Sequence, residues 1–173
     1  MAAGGKGGVI RLSMTMALIA AATLASACHR AFEEPVSVIS MANPEQADQL
    51  VAGFYSIEAN EWRWTARRFS VNLRPPPGSE QQGATLQLHF HLPQAHLDKL
   101  GPITLSADLG GYPLEPETYS VGGSFVYSRD VPSAELYTNV LPVNFCLDKA
   151  IAGSAQDPRE LGVVVTSVGL HSE

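Results

Sequence analysis

Short apolar segments separated by turn residues run through most of the chain, and this pattern restricts the fold more than any other feature of the sequence. The 173 residues include 15 glycines and 12 prolines, spread without a regular period. Breaks such as Arg74-Pro75-Pro76-Pro77-Gly78 and Gly110-Gly111 interrupt the chain too often for long helices and are typical of strands joined by turns. The pattern predicts an all-β domain, either a β-sandwich or a barrel.

The apolar segments predict seven strands, and only two short segments, Gln94–Leu100 and residues 150–155, have the composition of helical turns. The predicted strands are Trp62–Leu73, Ala84–Leu92, Ile103–Leu109 and residues 119–127, 134–140, 143–149 and 161–170.

The clearest alternation lies in residues 86–92. Leu86, Leu88 and Phe90 are predicted to face the core, whereas His89 and His91 are predicted to face solvent. Two histidines on one strand face could ligate a metal, but a zinc site needs three or four ligands and no Cys or acid lies at a suitable local spacing. We therefore predict a solvated strand face and no metal site.

The N-terminus has the composition of a targeting segment. Lys6 and Arg11 precede an uncharged stretch of 16 residues, 12–27, which is shorter than the about 20 residues of a membrane-spanning helix. Ala25-Ser26-Ala27 fits a signal-peptidase site, and together with Cys28 it also resembles a bacterial lipobox, although Leu24 lies four residues before the cysteine rather than three. A lipoprotein modified at Cys28, a soluble secreted protein and an uncleaved signal anchor all remain open.

The domain organisation follows from this reading. Residues 1–27 are predicted to be a signal peptide, residues 28–52 a tether and approach segment with a short strand or a helical turn begun at Asn43, and residues 53–173 the β-sandwich. The protein is then expected outside the cytoplasmic membrane, in the cell envelope, held to the membrane only through Cys28 or an uncleaved anchor.

Composition excludes several classes of function. The net charge of −6 argues against a nucleic-acid partner, because no basic stripe is present to displace counterions from phosphates. No nucleophile elbow, phosphate-binding loop, zinc-protease motif or dinucleotide fingerprint occurs, so we predict no enzyme and no cofactor. Cys146 is predicted to be a buried core thiol, and a disulfide with Cys28 remains open if Cys28 is not lipidated.

A cluster of aromatic and charged residues is the candidate ligand site, comprising Tyr55, Glu58, Glu61, Trp62, Arg63 and Trp64. Trp62 and Trp64 lie on one strand face and Glu61 and Arg63 on the other. A sugar could stack on the tryptophans with Tyr55, or it could bind Glu61 and Arg63 over a buried Trp pair. We favour the second geometry, because two exposed tryptophans would leave a large apolar patch.

The parity of Trp62 and Trp64 is opposite to that of Phe69, Val71 and Leu73 later in the same strand. A bulge near residues 66–68 would bring both sets to the core.

Two stretches of the sequence carry a resemblance that covers residues 53–171. They are Gly53-Phe54-Tyr55-x-x-Glu58-x-x-Glu61-Trp62-Arg63-Trp64-Thr65 and Asp157-Pro158-Arg159-Glu160-Leu161-Gly162-Val163-Val164-Val165-Thr166-Ser167-Val168-Gly169-Leu170. With them the chain resembles a β-sandwich module of bacterial polysaccharide-related proteins, which often accompanies glycosyltransferase or methyltransferase domains.

The resemblance implies a single jelly-roll-like sandwich of about seven or eight strands with an accessory, carbohydrate-associated role. The partner would then be a polysaccharide. The alternative is a structural lipoprotein of the envelope that docks another protein. In either case the Asp157-Pro158 step is expected to form a turn in which Arg159 pairs locally.

Overall fold

The computed structural model describes Gly4 and residues 34–172. The predicted signal peptide and Cys28 lie outside these residues. Residues 34–172 form nine strands and two short α-helices, α1 (Ser79–Gln82) and α2 (Gln94–Leu100). The strands are β1 (Val38–Ser40), β2 (Leu50–Glu58), β3 (Trp62–Leu73), β4 (Ala84–Leu92), β5 (Ile103–Leu109), β6 (Tyr112–Tyr119), β7 (Gly123–Val131), β8 (Leu141–Leu147) and β9 (Val164–Ser172).

All strand pairs are antiparallel, and their order defines two sheets that share one short junction. The first sheet has the order β1-β9-β4-β7, and the second has the order β2-β3-β8-β5-β6. Between the sheets, β3 and β9 pair only where Arg63 faces Val165 and Trp64 faces Val164. Without the edge strand β2, this is the eight-stranded order of a jelly roll, which confirms the predicted fold class.

One hydrophobic core lies between the two sheets. Strands β4, β5 and β8 alternate buried and accessible residues, so Leu88 and Phe145 point inward from opposite sheets. The ring of Phe90 on β4 meets Tyr119 on β6 edge to face, with 5.2 Å between ring centroids. At the far edges, the hydroxyl of Tyr127 on β7 donates to the carbonyl of Glu115 on β6 at 2.8 Å, which holds the sandwich together on that side.

The predicted phase of β4 is confirmed. Leu86, Leu88 and Phe90 are buried, His89 is half-buried and His91 is exposed. The His91 ring lies 3.3 Å from the Ser124 hydroxyl, a hydrogen bond on the outer face of the first sheet. The outer face is thus polar, as the alternation predicted.

The folded unit begins before the predicted boundary at Gly53. Ile39 and Met41 lie in the segment assigned to the tether and approach, yet both are fully buried and β1 pairs with β9. The segment contains both the predicted strand, β1, and the predicted helical turn, a 3-10 helix over Pro44–Gln49. The side chain of Asn43 caps this helix by accepting a hydrogen bond from Glu45 N at 3.0 Å.

Several predicted element bounds are wrong, and turn chemistry explains most of the differences. Residues 119–127 form two strands rather than one, because the chain turns at Gly122 and Gly123, where Gly123 has φ +150°. Residues 134–140 contain no strand. The chain instead forms a short 3-10 helix, Ser133–Glu135, directly after Pro132. Residues 150–155 form no helix, and their one regular contact is a bridge between Ile151 and Leu161.

The prediction that Cys146 is a core thiol is also wrong. On β8 the flanking Phe145 and Leu147 point into the core, so alternation turns Cys146 to the outer face of the second sheet. Its thiol is half-buried and donates to the carbonyl of Leu147 at 3.4 Å. Cys146 pairs across the sheet with Arg68 on β3 and with Ser106 on β5.

Gly53 allows β2 to cross very close to β3. The residue has φ +74°, and a Cβ built on it would lie 2.0 Å from the Arg68 carbonyl oxygen and 2.7 Å from Phe69 Cα. Ala52 on β2 pairs with Ser70 on β3, but Phe54, two residues later, pairs with Thr65, which lies five residues before Ser70. The pairing is therefore irregular at Gly53, and only a residue without a side chain fits.

Gly53→Ala is expected to destabilise the protein well beyond the cost of its backbone conformation. The matched control is Gly101→Ala, because Gly101 also has φ +74° but no neighbouring atom within 4 Å of its Cβ position. Gly101 has ψ −167°, a backbone conformation that essentially only glycine adopts, so Gly101→Ala should lower the free energy of unfolding by about 1–3 kcal/mol. Gly53→Ala should lower it by about 2 kcal/mol more through the backbone clash. Urea unfolding of both variants measures the difference, and equal losses would contradict the close approach.

Candidate functional site

The β2–β3 hairpin carries the predicted site residues. Its turn consists of Ala59 and Asn60, both in the left-handed region with φ 51° and 56°, which fits the tight turns of hairpins. Glu58 pairs directly with Trp62 across the two strands, so their side chains lie on the same face, and alternation places Trp64 there too. We call the group Tyr55, Glu58, Trp62 and Trp64, together with the ion pair Asp157–Arg159 that contacts Glu58 and Tyr55, the hairpin face.

Aromatic rings form one half of the hairpin face. The rings of Trp62 and Trp64 meet edge to face, with 6.3 Å between their centroids. Trp64 also stacks on His96 of α2, with 5.5 Å between ring centroids and an interplanar angle of 23°. Both tryptophans are half-buried. They therefore lie outside the core, and part of each indole remains accessible to a ligand.

An ion-pair network forms the other half. Arg159 donates from Nη1 to Glu58 Oε1 at 2.7 Å, and from Nε and Nη2 to the two oxygens of Asp157 at 2.9 and 2.8 Å. The same guanidinium lies 5.4 Å from the centre of the Tyr55 ring. The side chains of Glu58, Asp157 and Arg159 are each about one third exposed, at 36%, 37% and 31%. Polar groups of a ligand can therefore reach them.

The segment before β9 brings Arg159 to the hairpin. Asp157 Oδ1 accepts a hydrogen bond from Arg159 N at 3.0 Å, which makes the predicted turn and the predicted local pair. Close to β9, Gly162 N donates to the Thr65 carbonyl at 2.7 Å. A Cβ on Gly162 would lie 2.7 Å from the Ala66 carbonyl oxygen. The loop is thus held against β3 by contacts that need a glycine.

The network keeps Asp157 ionised. Its hydrogen bonds from the side chain and the backbone of Arg159 lower the pKa of the carboxyl from 3.8 to about 2. The two carboxylates in turn raise the pKa of Arg159. A glycosidase needs a carboxylic acid whose pKa is raised so that it can donate a proton. Asp157 has the opposite perturbation, which suits an acceptor of hydrogen bonds from hydroxyl groups.

Four of the six predicted residues come together on the hairpin face, and two do not. Glu61 is exposed at the end of the turn. Arg63 pairs with Ile57 on the opposite face, where its Nη1 donates to the Tyr55 carbonyl at 3.1 Å and its Nε is buried without a partner. Arg63 therefore supports the hairpin, and the favoured geometry, with Glu61 and Arg63 above a buried Trp pair, does not form.

The bulge expected near residues 66–68 exists but does not turn the tryptophans inward. Thr65 and Phe69 are both buried, so the inward parity of β3 is kept across the irregular region. Trp62 and Trp64 stay on the outer side. Sequence reasoning also missed His96, because nothing in a local pattern links α2 to a strand more than thirty residues earlier.

The part of the chain that the structure describes contains no group of three or more His, Cys, Asp or Glu side chains that could hold a metal ion. None of its helices is long and apolar enough to cross a membrane.

Comparison with known proteins gives little to set beside this geometry. No family model matches the chain. No curated protein matches it either. Among solved structures it is similar to the CBM36-1 domain of a multidomain xylanase from the hindgut metagenome of Trinervitermes trinervoides. The identity is 8%, the match covers 61% of this chain and 71% of that chain, and the TM-score is 0.36. The glycosyltransferase-associated family that the sequence resembles therefore stays a prediction.

Stability is expected to fall as the pH falls, because of His96. Burial lowers the pKa of this histidine below its ordinary 6.5, Lys99 reinforces the shift, and the backbone of Gly162 opposes it. The unfolded chain then takes up the proton at higher pH than the folded protein. The stabilisation that neutral His96 gives the folded protein is fully present above pH 6.5. As the pH falls below 6.5, the free energy of unfolding decreases by up to about 1.4 kcal/mol per pH unit.

The measurement is urea unfolding of the wild type and of His96→Phe between about pH 5 and 8. Phenylalanine keeps a flat ring against Trp64 but cannot be protonated. Subtracting the two profiles isolates the contribution of His96. Parallel profiles would show that His96 is protonated equally in the folded and unfolded states.

Proposed function

We propose that this protein is a non-catalytic carbohydrate-binding module and that the sugar binds on the hairpin face. The observation that carries the proposal is the juxtaposition of partly exposed aromatic rings with an ordered ion network, brought together from β2, β3 and the loop before β9. The hairpin face thus places an apolar aromatic surface a few ångströms from hydrogen-bond acceptors and donors whose positions are fixed by the ion network.

Saccharides have both kinds of surface. The CH-rich face of a pyranose packs on an aromatic ring, while its hydroxyls need hydrogen-bonding partners at defined positions. On the hairpin face, Trp62 and Trp64 supply rings, and Glu58 and Asp157 supply carboxylate oxygens. Arg159 holds both carboxylates in place before a ligand arrives, so little ordering remains to be done upon binding.

The charge of the hairpin face favours a neutral sugar. Two carboxylates surround a single guanidinium, and Glu61 stands exposed at the neighbouring turn. An anionic sugar placed here would meet excess negative charge at short range. Neutral polysaccharide is therefore the class of ligand proposed for this face.

The proposed function is tested by glycan-array screening followed by calorimetric titration of the best neutral oligosaccharide. Trp62→Ala should weaken binding at least about tenfold, since a central aromatic residue carries a large share of the affinity. Arg159→Gln should weaken binding as well while unfolding close to the wild type, because the ion pairs it makes are one third exposed. Tyr137→Ala is the control, because Tyr137 is a 72% exposed aromatic residue outside the hairpin face.

If Trp62→Ala and Arg159→Gln bind the oligosaccharide as tightly as the wild type, the sugar does not bind on the hairpin face. The same conclusion follows if these two variants and Tyr137→Ala lose affinity equally. If no glycan binds and an envelope protein is captured instead, the structural lipoprotein alternative replaces the proposal.

For the location we propose export across the cytoplasmic membrane, with residues 1–27 as the signal peptide and Cys28 as the lipidated residue of a membrane-anchored protein. The sequence around Ala25-Ser26-Ala27-Cys28 supports this. Because one acyl chain binds membranes only marginally, stable anchoring is expected to need more than one chain on the cysteine.

Cys28→Ser is expected to abolish incorporation of labelled fatty acid and to move the protein from the membrane fraction to the soluble fraction. Cys146→Ser is the matched control, because it removes the other cysteine of the chain and should change neither result. Wild-type protein that is exported but neither labelled nor membrane-bound would support the soluble secreted alternative.

A further inference from the structure

A second polar surface lies on the outer face of the second sheet, apart from the residues of the hairpin face. It is an open groove of about 530 Å³, within the range of about 300–1,000 Å³ typical of small-ligand sites. Ala52 of β2 borders one side, and Pro113 and Leu114 of β6 border the other. The outward side chains of β3, β8 and β5 form its floor.

The floor consists of two rows of hydrogen-bonding groups. Strand register places Asn144 between Ser70 and Asp108 in one row. In the other row, Cys146 lies between Arg68 and Ser106. The phenylalanines at positions 69 and 145 point away into the core, so the floor exposes no large apolar side chain of the kind that anchors protein partners. A ligand of this groove therefore meets hydrogen-bonding side chains along the floor and apolar side chains at the borders.

Internal hydrogen bonds orient the acceptors of the floor. Asp108 Oδ1 accepts from Asn144 Nδ2 at 3.0 Å and from Gly111 N at 3.0 Å. This leaves Asp108 Oδ2 and the carbonyl oxygen of Asn144 to accept from a ligand. The Ser106 hydroxyl donates to the Cys146 carbonyl at 3.1 Å, which leaves its own lone pairs as acceptors. One end of the groove is thus prepared for hydroxyl donors.

The other end is prepared for an anion. The guanidinium of Arg68 makes no ion pair with any residue of 34–172, unlike Arg74, Arg129 and Arg159. Arg68 is exposed, and it is the one basic residue of the groove lining. It binds a carboxylate through two parallel hydrogen bonds. The ligand therefore combines hydroxyl groups with a negative charge.

We propose that this groove binds an acidic oligosaccharide, in which a uronic acid carboxylate pairs with Arg68 and the hydroxyls of a neighbouring ring donate to Asp108 and Asn144. The groove is separate in residues and in preferred charge from the hairpin face. One protein could then hold two chains of different chemistry, or two segments of one mixed polysaccharide.

The test is calorimetric titration of the mature chain with a short oligogalacturonate and with the matching neutral oligogalactose. Arg68→Gln should weaken oligogalacturonate binding about tenfold or more. The matched control is Arg67→Gln, which removes the same charge from the neighbouring exposed residue, outside the groove lining. Added salt should weaken the binding of the acidic ligand and leave that of a neutral one unchanged.

Cys146 reports on the groove directly. Saturating oligogalacturonate should slow alkylation of Cys146 by iodoacetamide, measured by peptide mass spectrometry, and it should do so equally in Trp62→Ala. Equal weakening by Arg67→Gln and Arg68→Gln would reduce the effect to overall charge and overturn the proposal. So would equal affinity for the acidic and neutral ligands, or no binding of the acidic one. Because Trp62→Ala leaves the groove intact, failure of the hairpin face and failure of the groove give different results.

Discussion

The architecture depends on the contact that carries β3 from one sheet to the other. Thr65 is fully buried at this point, and its hydroxyl oxygen accepts a hydrogen bond from Val163 N at 3.2 Å. Its backbone also pairs with Val163 and Gly162, at 2.9 and 2.7 Å. Because a buried hydroxyl is costly unless it is hydrogen-bonded, this side chain specifies how β3 and β9 meet. Gly53 on one side and Gly162 on the other leave space for the backbones to approach.

Both proposed binding surfaces follow from this contact. Before Thr65 the outer side of β3 presents Trp62 and Trp64 beside α2 and the loop that carries Arg159. After Thr65 the same strand joins the second sheet, and its outer side presents Arg68 and Ser70 to the groove. A single strand therefore contributes to an aromatic, acidic surface and to a polar surface that holds the unpaired guanidinium of Arg68. The excess of carboxylates on the first surface and the unpaired Arg68 on the second are the reason to expect different saccharides on each.

The alternation of residues predicted the buried and accessible sides of β4 correctly, because period-two patterning reflects burial on one face of a sheet. The same rule, applied to Cys146 between Phe145 and Leu147, would have predicted an outward thiol. The hydrophobic character of its neighbours suggested a core position instead. Edge strand β2 could not be recognised from its pattern, because its burial does not alternate and its register shifts three times against β3.

The amino-acid sequence by itself determined the fold class, the core side of the regular strands and the aromatic and charged character of the hairpin. These properties depend on local patterning and on turn residues, which act over a few positions of the chain. Only the tertiary structure decided that Arg159 lies beside Glu58, that His96 stacks on Trp64 and that Arg63 is engaged by the Tyr55 carbonyl. Glu58 and Arg159 lie 101 residues apart in the chain, and the packing of the loop before β9 against β3 brings them together.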